Sequence, residues 1–104
     1  MDNLNPNIYK EWKLVWRKDQ FNTEVKLNYD GTLQFFTDGT YIYTMNYKDG
    51  TNKVQKGVFE FKNKGKKIKF MTDKLVNYKV DVYNLTNTSV EITDDTYTNY
   101  YKAK

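Results

Sequence analysis

Apolar and polar residues alternate with period two through most of this chain, and the apolar partner is repeatedly an aromatic ring. Such alternation puts one set of side chains on each face of a strand, so the chain is constrained to form sheet with one buried face. In the first stretch Trp12, Leu14 and Trp16 share a face, while Lys13, Val15 and Arg17 take the other. Val25, Leu27 and Tyr29 alternate with Lys26 and Asn28, which predicts a short strand or covering segment before residue 30. Further strands are expected at 33–36, 41–47, 54–62, 66–71, 75–85, 89–93 and 97–102. Spacing of this kind, with short connections, predicts an all-β fold of seven or eight strands in a single antiparallel up-and-down meander. Closing that sheet into a barrel removes its exposed edges.

The turns support the same count. Asp-Gly-Thr occurs at 30–32, 38–40 and 49–51, and each is expected to be a tight turn. None carries the several acidic residues that an EF-type calcium loop requires. Residues 1–7, with Pro6 the single proline, read as a flexible arm, and 8–104 as one barrel domain. At 104 residues there is no room for a second domain.

Composition narrows function more than it names it. There is no Cys, which excludes disulfides and thiol chemistry, and no His, which removes the usual general base and the commonest metal ligand. No metal or cofactor is therefore expected, and neither is a Ser-His-Asp type of enzyme. Asp94-Asp95 is the remaining carboxylate pair, and neighbours on a turn point apart. The longest apolar run is far too short for a transmembrane helix. Residues 1–7 lack an apolar signal core, so the chain is either cytoplasmic or begins after a removed signal.

The 18 aromatic residues (ten Tyr, six Phe, two Trp) supply most of the drive to fold. An eight-stranded barrel is either filled by side chains or holds one small ligand. The inward candidates are Trp16, Phe35, Tyr41, Tyr43 and Phe59, followed by Phe61, Phe70, Tyr78 and Tyr101. They either fill the barrel outright or leave one end open, with tyrosine hydroxyls orienting a small apolar ligand. Tyr83, Tyr97 and Tyr100 are outward candidates for contact with a protein partner, the alternative function. A single-stranded nucleic-acid surface would need Tyr47, Phe59 and Phe61 exposed beside Lys62, Lys64, Lys66, Lys67 and Lys69. The net charge of +4 is low for that role, and those lysines are as readily a solvated hairpin that discourages aggregation. A monomer or weak dimer is expected. Asn84-Leu85-Thr86 and Asn87-Thr88-Ser89 match the glycosylation pattern, relevant only to a eukaryotic secretory route.

Three stretches resemble the small bacterial lipocalin-like domain family. Ile8-Tyr9-Lys10-Glu11-Trp12-Lys13-Leu14-Val15 is similar to its opening strand, with Lys10 and Glu11 where the family's glycine turn stands. Residues 33–41 resemble its apolar strand, Asp-Gly-Thr turn and aromatic strand. Residues 90–95 followed by 97–102 resemble its closing hairpin with a Tyr-Tyr-Lys finish. The resemblance implies a lipocalin-like barrel and an exported protein of the periplasm or cell envelope, often a lipoprotein. It also implies that Trp12 packs under Lys102 to close the barrel, a cation–π contact of about 0.5–2 kcal/mol.

Overall fold

The computed structural model describes residues 6–104, so residues 1–5 of the expected arm lie outside it. The last two residues of that arm open a 3-10 turn, Pro6–Ile8. The strands are β1 (Glu11–Asp19), β2 (Glu24–Val25), β3 (Tyr29–Phe35), β4 (Thr40–Tyr47), β5 (Asn52–Lys62), β6 (Lys67–Thr72), β7 (Asn77–Tyr83), β8 (Ser89–Thr93) and β9 (Tyr97–Ala103). From β3 to β9 each strand pairs antiparallel with the next, β1 pairs with β3, and β9 returns to β1. The result is a closed eight-strand meander barrel, with β2 as a short addition against Arg17 and Lys18 of β1.

Three expectations are corrected by this register. The first concerns Asp30-Gly31-Thr32, which is not a turn but the middle of β3, with Gly31 opposite Met45. The other two repeats do turn: Gly39 and Gly50 have φ of 90° and 93°, and Asp38 and Asp49 each accept bonds from the backbone N–H and hydroxyl of the threonine two residues on. Gly31 serves a different need. A Cβ there would lie 2.9 Å from the Tyr43 hydroxyl, 3.1 Å from the Tyr29 ring and 3.2 Å from Leu14, so the glycine makes room for two tyrosines.

The second correction concerns Trp16. Leu14 faces Tyr101 on β9, but Trp16 faces Tyr100, so Val15 is an extra residue in β1. Such a bulge reverses the in–out alternation beyond it. Trp16 therefore lies outside, stacked on Tyr100 with ring centroids 5.1 Å apart and Lys18 over its face. Arg17, expected outside, points in beside Asn99. Tyr97, also expected outside, shares the inner face of β9 and packs over Arg17 at 4.7 Å.

The third concerns closure. Trp12 is wholly buried, but it faces Ala103, while Lys102 is exposed opposite Lys13. With Tyr101 inward, its neighbour Lys102 must point out. The cation near the Trp12 ring is Lys10, 5.8 Å from the centroid, whose ammonium also donates to the Asn87 carbonyl. The indole N–H donates to the Ile8 carbonyl at 3.0 Å, which pins the 3-10 turn across this end.

Because strands alternate in direction, the connections divide into two sets. The turns 36–39, 63–66 and 84–88 gather with Pro6–Ile8 at one end of the barrel, and those at 48–51, 73–76 and 94–96 at the other. The first end is filled. Ile8, Trp12, Phe35, Phe59, Phe61, Ile68 and Val90 are all buried there, with Phe35 and Phe59 edge to face at 4.7 Å. Phe35, Phe59 and Phe61 thus belong to the packed core, and Phe59 and Phe61 are not available as a base-stacking platform. Two of the five clustered lysines are ion-paired, Lys62 with Glu60 and Lys67 with Asp81.

Candidate ligand-binding cavity

The second end is not filled. A cavity of about 330 Å³ lies there, walled by side chains of eight strands and by the turn at Asp94. Of the nine expected inward residues, Tyr41, Tyr43, Phe70, Tyr78 and Tyr101 line it. Leu33, Val80 and Ile92 complete the apolar floor. Arg17, Tyr29, Met45, Gln55, Asp94 and Asn99 also line it, although none was among the expected lining residues. Arg17 could not be found by alternation, because the bulge that turns it inward leaves no mark in the sequence pattern. Asn99 could have been, since it stands two residues before Tyr101 on the same face.

Two polar clusters face each other across rings. In one, Arg17 Nε donates to Asn99 Oδ1 at 2.7 Å and an Nη2 N–H donates to the Tyr29 hydroxyl at 2.6 Å. The Tyr29 hydroxyl is in turn 3.0 Å from that of Tyr43. In the other, the hydroxyls of Tyr41 and Tyr78 both donate to Gln55 Oε1, at 3.2 and 2.9 Å. Between them Phe70 stacks on Tyr78 at 5.1 Å and meets Tyr41 edge to face at 4.7 Å. Tyr78 stands at the rim, 37% exposed.

Burial sets the electrostatics. It pushes the phenols of Tyr41, Tyr43, Tyr78 and Tyr101 above their ordinary value of about 10, because a phenolate there would lose its hydration. At Tyr43 the neighbouring Tyr101 and Tyr29 add to the shift. These groups are therefore neutral hydrogen-bonding hydroxyls at any physiological pH. They also couple stability to alkaline pH. A raised folded-state value means that the unfolded chain loses its phenolic protons first, so stability falls as pH rises above about 10. Phenolate absorbance of Tyr43 and Tyr101 is expected to appear only together with loss of the near-ultraviolet circular dichroism of the fold. Full tyrosine titration in a still-folded barrel would contradict their burial.

No family model and no curated protein matches the sequence. Solved structures do match. A lipocalin-like protein from Bacteroides uniformis superposes with a TM-score of 0.77 at 15% identity, over 94% of this chain and 99% of the other. The fold is the lipocalin-like barrel. An uncharacterized protein from Bacteroides eggerthii gives a TM-score of 0.76 at 11% identity, over 93% of this chain and 99% of that one. A de novo designed fluorescence-activating β-barrel gives 0.59 at 14% identity, with both chains covered in full. At such identities the likeness is one of backbone path. The cavity side chains of this lipocalin-like barrel must be read from its own residues. No helix among the described residues is long and apolar enough to cross a membrane.

Proposed function

We propose that the chain is a non-enzymatic binding protein that holds a small, largely apolar ligand in the open half of its barrel. The observation that carries this reading is the division of the interior, with rings packed at one end and a cavity of about 330 Å³ at the other. Protein interiors leave few voids larger than a water molecule. A cleft of this size, mostly apolar with a few convergent polar groups, is the common form of a small-molecule site. The neutral hydroxyls of Tyr41, Tyr43 and Tyr78, held by Gln55 and Tyr29, offer fixed oxygen atoms that would orient a ligand. Likeness to a barrel designed to activate fluorescence supports the reading by analogy of form. Resemblance to an exported family supports an envelope location, which fractionation of native cells would test.

The neutral apolar dye N-phenyl-1-naphthylamine tests the cavity directly. Its fluorescence is expected to rise on mixing with the folded chain. Met45→Trp, which fills the cavity from β4, is expected to weaken dye binding about tenfold or more, equivalent to about 1.4 kcal/mol. Val90→Ala, at the packed end, is expected to lower stability and leave dye binding unchanged. A folded wild-type chain that gives no enhancement would remove the ligand reading.

A further inference from the structure

Arg17 is the one cation on the cavity wall among the described residues, and its protein partners are neutral. The ion pairs found join other residues: Lys62 with Glu60, Lys67 with Asp81, and Lys104 with Glu11. Asp94 also lines the cavity, but its Oδ1 accepts the backbone N–H groups of Thr96 and Tyr97 at 2.8 and 2.7 Å and so caps its own turn. A guanidinium stays charged and offers five N–H donors in a planar fork. Asn99 and Tyr29 accept one each, which leaves three for something else. The rings of Tyr97 and Tyr29, at 4.7 and 5.6 Å from Cζ, hold the guanidinium in place. The guanidinium is thus half-buried and held in place against an aromatic wall with no ion-pair partner, which leaves its charge and its remaining donors open to an anion.

The chemistry of that anion follows from its surroundings. One cation matches one negative charge, and the planar fork matches a carboxylate bidentately. The remaining wall is rich in rings, notably Tyr43, Phe70, Tyr78 and Tyr101, which favour an aromatic body over a flexible one. Resting on the ligand reading above, we infer that the barrel selects a small aromatic monocarboxylate, with its carboxylate on Arg17 and its ring among these side chains. The neutral phenols place no negative charge of their own beside that carboxylate.

The test compares 2-naphthoate with its neutral isostere 2-naphthamide by titration calorimetry at neutral pH. Wild type is expected to bind the carboxylate at least about tenfold more tightly. Arg17→Met is expected to erase that preference, whereas Val90→Ala, at the packed end, is expected to keep both the preference and N-phenyl-1-naphthylamine binding. Arg17→Lys retains the charge without the fork and is expected to restore part of the preference. Equal affinity of wild type for the two naphthalene compounds, with the neutral dye still bound, would overturn the inference and leave the cavity reading standing. Failure to bind any of the three would overturn both.

Discussion

Trp12→Ala is expected to lower stability by about 3–5 kcal/mol, the usual cost of emptying a large aromatic site in a core. The side chain is fully buried at the packed end, and its indole N–H anchors the Ile8 carbonyl that closes that end. A domain of this size commonly has only about 5–15 kcal/mol in total, so the variant should melt far below the wild type. Each kcal/mol is worth about 4–8 °C in a domain of roughly this length. Lys102→Ala separates the two accounts of closure. Lys102 is exposed and does not meet the Trp12 ring, so its loss is expected to change the midpoint of urea unfolding very little. Lys10→Ala is expected to cost about 0.5–1 kcal/mol through the cation–π contact at a partly exposed site. A Lys102 effect larger than the Lys10 effect would contradict the register of β9.

The second large effect is expected at Gly57. This glycine sits in β5 between Tyr41 of β4 and Thr72 of β6. A Cβ built on it would fall 2.0 Å from the Met71 carbonyl oxygen and 2.9 Å from both the Met71 carbonyl carbon and Thr72 Cα. These are backbone atoms, so no rotamer change relieves the clash, and β6 itself must move. Glycine within a strand often marks a place where another backbone approaches closely. Gly57→Ala is expected to cost about 1–3 kcal/mol or more by overpacking. Amide hydrogen exchange should speed up first along β5 and β6. An alanine variant as stable as wild type, with unchanged exchange there, would show that the two strands are not so closely apposed.

The cavity end depends on finer detail. Tyr41, Tyr43, Phe70, Tyr78 and Tyr101 fall on the inner face by simple alternation, and each does line the cavity. Alternation could not separate them from Phe35, Phe59 and Phe61, because it assigns a face and not a height along the barrel. Height depends on strand stagger, which carries Phe59 and Phe61 to the packed end and Gln55 of the same strand to the open one. Asp30-Gly31-Thr32 failed for a related reason. Its composition suits a turn, but pairing with Asn46, Met45 and Thr44 of β4 holds it extended, and the glycine there leaves room for the Tyr29 and Tyr43 side chains.

By itself the sequence determined the class of fold, the number of long strands, the aromatic core and the position of two of the three Asp-Gly turns. It could do so because face and turn propensity are local properties, carried by residues two to four positions apart. Tertiary structure decided which half of the barrel is packed, which cation meets Trp12, and that Arg17 enters the cavity. Those outcomes depend on contacts between distant strands. A single extra residue at Val15, placed by the β1–β9 register, inverts the side chains of the rest of β1, and nothing in the neighbouring residues records that inversion.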